Sequence, residues 1–156
     1  ITLYSEILSE INKDHKMYPK VLDRRGTAYE RNGEWTLAEK DLLLSLEIDP
    51  NQAYTLNYLA YTWIEQNKKT EKALSMLEKA NNLKKNDGYI TDSLGWAQYK
   101  LKNFSEAKFY LERAIQMMPN DPIVNDHFAD CLWMIDKKIQ ARYYWEYVLT
   151  LSLIHI

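Results

Sequence analysis

Side chains able to carry out acid–base or metal chemistry are scarce in this sequence. Its only histidines are His15, His127 and His155. Asp126, His127 and Asp130 fall within one helical turn and have the residue types of a metal site or of an acid–base pair. No His-Glu-x-x-His pattern accompanies them, and about 100° of helix rotation separates His127 from the face of the two aspartates. We therefore expect neither a metal site nor a catalytic centre at this cluster.

Other patterns of enzymes and cofactor-binding proteins are missing as well. The sequence has no Ser/His/Asp arrangement and no dinucleotide fingerprint, and its four glycines are too few for a Gly-rich phosphate loop. A single cysteine, Cys131, excludes an intrachain disulfide framework, and we expect it to be an inert core thiol. The sequence therefore predicts a protein that is not an enzyme and that binds no cofactor.

The composition narrows the class of protein further. Of the 156 residues, 46% are apolar and 27% charged, as in a folded domain. The formal net charge of −2 offers no basic excess for nucleic acid or an anionic membrane surface. No apolar run reaches about 18 residues, so direct membrane insertion is not expected. Because the chain opens at Ile1 without a leader sequence, we expect a fragment or a processed piece.

Two series of small residues recur along the chain with the same period, and they indicate the elements that position these side chains. The first series has spacings of 34, 35 and 34 residues, and the second has spacings of 35, 34 and 34. Two series that share one period indicate an internal repeat built from two elements. The first series comprises Gly26, Ala60, Gly95 and Ala129, and the second comprises Ala38, Ala73, Ala107 and Ala141.

Each repeat is predicted to contain two helices. Within it, small and apolar residues recur at helical spacings, as Ala107, Leu111 and Ala114 do. A glycine inside a helix costs about 1 kcal/mol relative to alanine, so Gly95 predicts the close approach of a neighbouring helix. The low count of glycine and proline, four of each beside 20 aromatic residues, also favours an all-helical protein.

Polar residues at the predicted helix ends agree with this division. Asp121-Pro122 is typical of a capping side chain followed by proline in the first turn. Asn103 followed by Glu106 predicts a capping box at the start of another helix. The one extra residue of the second repeat is expected in the polar turn 66–70, where an insertion is tolerated.

These residues resemble the tetratricopeptide repeat, a unit of about 34 residues with a small residue at its eighth position and alanine at its twentieth. The third repeat is the best match, with Gly95, Ala107 and Pro119. Arg25 departs from the pattern, which usually has leucine there. The resemblance implies an all-α solenoid of antiparallel helix pairs in a right-handed superhelix. It divides the chain into the second helix of a truncated preceding repeat with its loop (1–18), four repeats (19–52, 53–87, 88–121 and 122–152) and an irregular tail (153–156).

A second resemblance concerns the third and fourth repeats. The stretches 87–96 and 121–127 look like the C-terminal repeats of long bacterial tetratricopeptide proteins. Some members of that group are envelope lipoproteins that act as adaptors for a protease or for cell-wall enzymes. This resemblance implies a bacterial protein of the periplasm or envelope, or of the cytoplasm, and it does not name the partner.

Family geometry implies that the first helix of each repeat lines a concave groove. From the second repeat onward, the stripe expected to face this groove carries large aromatic side chains with asparagine and aspartates between them. Exposed aromatic stripes usually mark an interaction site, although such a stripe can also pack on adjacent or flanking repeats. We call these residues the groove stripe: Tyr54, Asn57, Tyr61, Tyr89, Asp92, Trp96, Tyr99, Asp126, Asp130 and Trp133.

The sequence therefore predicts a non-enzymatic scaffold or adaptor that binds a peptide or a partner helix in the groove of the second to fourth repeats. A guest with cationic or apolar character suits the stripe, and Trp96 is the expected anchor whose removal weakens binding without changing the melting temperature. The alternative is an architectural or self-associating segment whose groove is filled by its own flanking repeats. The expected partners are proteins or peptides, with no nucleic acid, and homo-oligomers remain open.

Overall fold

The computed structural model describes residues 1–153, and the side chains among them up to Leu151. These residues form nine α-helices and no strand. None of the helices within the described residues is long and apolar enough to cross a membrane. The helices are α1 (Thr2–Glu10), α2 (Tyr18–Arg31), α3 (Trp35–Ile48), α4 (Ala53–Glu65), α5 (Thr70–Leu83), α6 (Gly88–Lys100), α7 (Phe104–Met117), α8 (Pro122–Met134) and α9 (Lys138–Leu153).

The chain divides into two compact units, Ile1–Leu59 and Ala60–Ile156. In the first unit, α2 packs against α3 and against α1. In the second unit, α6 packs against α7 and α8 against α9, while α5 contacts α6 and α7 contacts α8. Helix α6 also contacts α8 directly. Packing between neighbours in sequence is typical of a helical repeat fold.

Small residues let the paired helices approach each other closely. A Cβ atom added to Gly95 of α6 would lie 2.7 Å from Cγ of Leu111 in α7, and one added to Gly26 of α2 would lie 2.9 Å from Cγ of Leu42 in α3. Both leucines are fully buried. The close approach predicted from the glycine is therefore confirmed. Both complete series of small residues are buried, including Ala60, Ala129, Ala38, Ala73, Ala107 and Ala141.

The turn inside each helix pair has the same backbone design. A backbone N–H just before the second helix donates to the carbonyl five residues earlier, as Asn103 does to Gln98 at 2.9 Å and Lys137 to Leu132 at 2.9 Å. This is the bond that closes a helix through a left-handed residue. The left-handed residues are Gly33, Asn67, Lys102 and Asp136. Their spacing repeats the period of the chain, so the backbone requirement recurs while the side chain varies.

The extra residue of the second repeat lies where the sequence placed it. Helix α4 ends at Glu65 and α5 begins at Thr70, a gap one residue longer than the gap between α6 and α7. Lys69 is the added residue, and it takes a second left-handed conformation with φ of 47°. Its ammonium group lies 4.5 Å from the ring centroid of Trp63, which gives this loop lysine a cation–π contact.

One of the two predicted caps is confirmed and the other is wrong. The Asp121 carboxylate accepts from the N–H of Val124 at 3.1 Å, and proline follows it at the first position of α8. Asn103 precedes α7 but makes no side-chain capping bond. Its amide donates instead to Oε1 of Gln98 at 2.9 Å, because the turn holds it against the end of α6.

Arg25, which stands where the repeat pattern usually has leucine, forms a part-buried ion pair in the first unit. Its guanidinium donates to both oxygens of Asp41, at 2.6 and 2.9 Å, and to the Ser5 hydroxyl at 3.1 Å. Asp41 is 5% exposed, and its bond to the guanidinium raises the pKa of Arg25. The contact ties α1 to the α2–α3 pair.

The C-terminal helix is longer than the sequence predicted. Helix α9 extends to Leu153, so the assignment of residue 153 to an irregular tail is wrong. The rest of that tail, residues 154–156, lies outside the described residues. The division into repeats remains a prediction.

We predict that Gly95→Leu lowers the free energy of unfolding by about 1–3 kcal/mol, because the new side chain would overlap Leu111. Gly95→Ala should lose less, since alanine gains about 1 kcal/mol in helix propensity. Thermal and urea unfolding followed by circular dichroism measure both variants. If Gly95→Leu unfolds like the parent protein, the contact between α6 and α7 is assigned to the wrong residues.

The left-handed turns generate a second prediction, with a matched control. Lys102→Gly and Asp136→Gly should each raise the free energy of unfolding by about 0.5–1 kcal/mol, because both residues have φ above 60°. Gly33→Ala is the converse control, because φ is 80° there and a Cβ would meet nothing within 4 Å, so backbone strain alone should lower its stability. Unchanged or lower stability in both lysine and aspartate variants would contradict this description of the turn.

Candidate functional site

The groove stripe is unevenly exposed. In the first unit, the Tyr54 side chain is 58% exposed, and Asn57 is half-buried with an Oδ1 atom that has no donor among the described residues. In the second unit, Tyr89 is 62% and Trp133 is 37% exposed. The other aromatic members, Tyr61, Trp96 and Tyr99, are half-buried. The side chains of the stripe are therefore neither all exposed nor all buried. Most of them belong to the second unit.

Asp92 of α6 is bonded to α8 rather than free. Its Oδ2 atom lies 2.9 Å from Nδ1 of His127. Since an ionised carboxylate only accepts, Nδ1 is the donor in this bond. Asp92 is 5% and His127 is 7% exposed. Oδ1 of Asp92 is buried and has no hydrogen-bond partner within the described part of the chain.

Trp96 is held by contacts on several sides. Its ring stacks on His127, with centroids 4.0 Å apart, and on Tyr99, with centroids 4.7 Å apart, both at 10° between planes. Its indole N–H donates to Oε1 of Glu65 at 2.7 Å. The Lys100 ammonium lies 5.5 Å from the indole centroid and 3.8 Å from the Glu65 carboxylate. The indole is thus fixed between α4, α6 and α8 of the second unit.

Negative charge is concentrated around Asp92, Trp96 and His127. Burial raises the pKa of the Asp130 carboxyl, and the charge of Asp126 raises it further, while His127 lowers it. Burial also raises the pKa of Tyr61 to about 12, with the charges of Glu65 and Asp92 adding to the shift. Asp126 is exposed and Asp130 half-buried. The second unit therefore presents several carboxylates beside its stripe aromatics.

The structure brings together some of the predicted residues and corrects the role of others. Asp92 and Trp96 adjoin the same histidine, whereas Trp133 contacts Trp145, with centroids 5.4 Å apart. The expectation for Trp96 changes as well, because its ring packs on Tyr99 and His127 and its removal should therefore lower stability. His127 is buried whereas Asp126 is exposed, so the two lie on different faces of α8, and the imidazole contacts Asp92 and Trp96 of α6.

His127 and Glu65 contact the groove stripe although the predicted stripe does not include them. A usable signal was the acidic residue that recurs at the fifth position of a repeat, as Asp23 and Asp92 do. In the first unit, Asp23 accepts a hydrogen bond from the Thr55 hydroxyl at 2.8 Å. The acid of one repeat thus pairs with a polar residue on the first helix of the next repeat, as Asp92 pairs with His127.

Cys131 lies behind this surface and takes no part in it. The residue is fully buried, and burial raises the pKa of its thiol to about 11. A thiol with a raised pKa is a poor nucleophile because little thiolate forms. Its Sγ atom lies 3.7 Å from the carbonyl oxygen of Phe104. The predicted inert core thiol agrees with these contacts.

Comparison with known sequences finds similarity to tetratricopeptide repeat proteins. A family model described as the tetratricopeptide repeat matches residues 92–121. The TPR repeat-containing protein PA4667 of Pseudomonas aeruginosa is 31% identical over 116 residues, which cover 72% of this chain. The matched stretch is 20% of that protein, so the chain spans about a fifth of the length of this curated relative.

Comparison with solved structures supports the same architecture. A crystal structure of MamA superposes with a TM-score of 0.77 at 16% identity, over 97% of this chain and 86% of that one. The first TPR of Spaghetti (RPAP3), bound to the HSP90 peptide SRMEEVD, superposes with a TM-score of 0.71 at 20% identity, over 78% of this chain and 96% of that one. At these identities the likeness establishes the fold, an all-α helical repeat.

We predict that Trp96→Ala lowers the free energy of unfolding by about 2 kcal/mol, because it removes two ring stacks and the bond to Glu65. Trp96→Phe keeps a ring and should lose less. Trp133→Ala, at a more exposed position of α8, is the matched control and should lose under about 1 kcal/mol. Equal melting of Trp96→Ala and the parent protein would contradict the packing described for this indole.

Proposed function

We propose that this chain, which belongs to the tetratricopeptide repeat family, is a non-enzymatic scaffold that binds an extended peptide or a partner helix along the groove stripe. Proteins of this family are typically interaction modules, and the function of a shared fold is decided by the surface of the individual chain. The observation that carries the proposal is the row of part-exposed aromatic side chains on α6 and α8 of the second unit.

The geometry of these aromatics suits a bound segment. Tyr89 projects 62% of its surface at the start of α6, and Trp133 projects 37% at the end of α8. Between them, Trp96 is fixed by its contacts and loses little freedom when a guest packs on it. Large, rigid aromatic side chains are favoured as binding anchors because ordering them costs little entropy.

The charge of this surface selects against acidic guests. The Spaghetti structure holds the peptide SRMEEVD, whose acidic end needs cationic partners. On the second unit of this chain, the stripe carries Asp92, Asp126 and Asp130, with Glu65 bonded to Trp96. Like charges across an interface are destabilising. We therefore propose a guest that is apolar or cationic where it meets α6 and α8.

A second candidate function is architectural, through association with another copy of the chain. Helix α9 exposes 86% of Ile139 and 67% of Tyr143. Together with Phe128 and Leu132, these residues line a cavity of about 440 Å³ between α7, α8 and α9. Exposed apolar patches of this kind mark sites of association. This surface lies on different side chains from the groove stripe, so the two candidates can be tested separately.

Selection from a random peptide library tests the proposal directly. Purified protein is immobilised, bound peptides are selected, and the affinity of a selected peptide is measured by fluorescence anisotropy. The double variant Tyr89→Ala, Trp133→Ala should bind at least about tenfold more weakly, because it loses two exposed anchors. Phe109→Ala, which removes an exposed ring of α7, is the control and should bind within about twofold of the parent protein.

Sedimentation at several concentrations distinguishes the alternative. For a scaffold we expect a monomer whose mass does not change with concentration. In the binding assay, the selected peptides should compete with one another for the stripe. Dimers whose population rises with concentration and falls in Ile139→Glu would favour the architectural function. A library that yields no peptide sensitive to the stripe variant would contradict the scaffold proposal.

A further inference from the structure

We propose that Asp92 forms the floor of a site for one arginine side chain of the bound peptide. The inference rests on the proposed function, because the arginine is a residue of the guest that the groove stripe holds. The bound peptide then places a guanidinium next to Asp92. The buried Asp92 carboxylate binds this group in addition to its bond with His127.

One oxygen of the Asp92 carboxylate lacks a hydrogen-bond donor within the described residues. The Asp92 side chain is 7% exposed, and Oδ2 is bonded to His127. Oδ1 is buried without a donor among the residues that the structure describes. A buried carboxylate oxygen without a donor is costly, and a donor that reaches it restores the missing interaction. A guest cation that donates to Oδ1 therefore gains a charge-assisted bond, which is stronger than a neutral one.

Two aromatic residues of α6 flank Asp92 along the helix. Tyr89 precedes Asp92 by three residues and Trp96 follows it by four, so the three side chains lie on one side of α6. Tyr89 is largely exposed and Trp96 half-buried. Along this side of α6, Asp92 stands between an exposed and a part-exposed aromatic residue, and its Oδ1 atom is buried. We infer that a guest side chain with a long stem enters between these two residues.

Several carboxylates lie near Asp92. Asp126 and Asp130 lie on the same helix as the His127 that Asp92 contacts, and burial raises the pKa of Asp130 with the charge of Asp126 raising it further. Burial likewise raises the pKa of Tyr61, and the charges of Glu65 and Asp92 add to that shift. Lys100 is 3.8 Å from Glu65 and neutralises that carboxylate. The carboxylates of α6 and α8 therefore attract a guest cation.

Arginine fits this site better than lysine. A guanidinium is planar, so it can lie against Tyr89 or Tyr61 while an N–H group donates to the Asp92 carboxylate. It is also less strongly hydrated than an ammonium group, so bringing it to a buried oxygen costs less. Its several N–H groups leave donors for the exposed Asp126 as well.

Three blocked tripeptides test the assignment: acetyl-Ala-Arg-Ala-amide, its lysine counterpart and its citrulline counterpart, which has nearly the shape of arginine without the charge. Binding is followed by the indole N–H signals in two-dimensional NMR. We expect the arginine probe to shift the Trp96 signal with a Kd of about 1 mM. The lysine probe should bind several-fold more weakly and the citrulline probe roughly tenfold more weakly.

Three variants identify the carboxylate. Asp92→Asn should weaken the arginine probe roughly tenfold, because it removes the charge and keeps the shape. Asp126→Asn, at an exposed position, should weaken it about two- to threefold, and this variant keeps the test available if Asp92→Asn fails to fold. Glu78→Gln, at an exposed position of α5, is the matched control and should bind like the parent protein.

The outcomes separate this inference from the proposed function. If library peptides bind in a stripe-dependent manner but the arginine probe does not shift Trp96, the inference is overturned and the scaffold function stands. Equal binding of the arginine and citrulline probes, or an Asp126→Asn variant no weaker than Glu78→Gln, also overturns it. Equal binding of the lysine probe overturns the preference for arginine. If both the library and the probe fail, the scaffold function and this site fall together.

Discussion

The close approach of a small residue on one helix to a leucine on the next is the constraint on which this structure depends. Gly95 lies so near Leu111 that any side chain there would displace it. This contact fixes the distance between α6 and α7 and the rotation of α6 about its axis. Asp92 and Trp96 lie one turn apart and therefore share a side of the helix, and the fixed rotation turns that side toward His127 of α8. The candidate site is therefore a consequence of the helix pairing.

Asp92 belongs to the predicted groove stripe, and its contact with His127 also holds the structure together. A buried hydrogen bond to a carboxylate holds two helices in register, provided that both partners stay in place. Trp96 reinforces it by stacking on the same imidazole. The arrangement leaves one oxygen of Asp92 without a protein donor. Rigid surroundings and an unsatisfied acceptor are the features of a preorganised binding site, because the protein has already met the cost of ordering it.

The period of small residues was sufficient to predict the family, the helix pairs and the position of the extra residue near Lys69, because each depends on packing that recurs in every repeat. The contact between Asp92 and His127 could not be predicted, since it joins residues 35 positions apart and depends on how α6 is rotated relative to α8. Asn103 shows the same limit on a smaller scale. Its residue type favours a helix cap, but in the folded turn its side-chain amide donates to Gln98 instead.

The imidazole of His127 gives the most direct test of this account, because its Nδ1 proton must point at Asp92 if α6 and α8 pack as described. Nitrogen-15 NMR of the histidine ring, in the intact chain at neutral pH, reports which ring nitrogen carries the proton. We expect a protonated Nδ1 whose proton exchanges slowly and couples to the Asp92 carboxylate. An imidazole protonated at Nε2 alone, with a bare Nδ1, would contradict it.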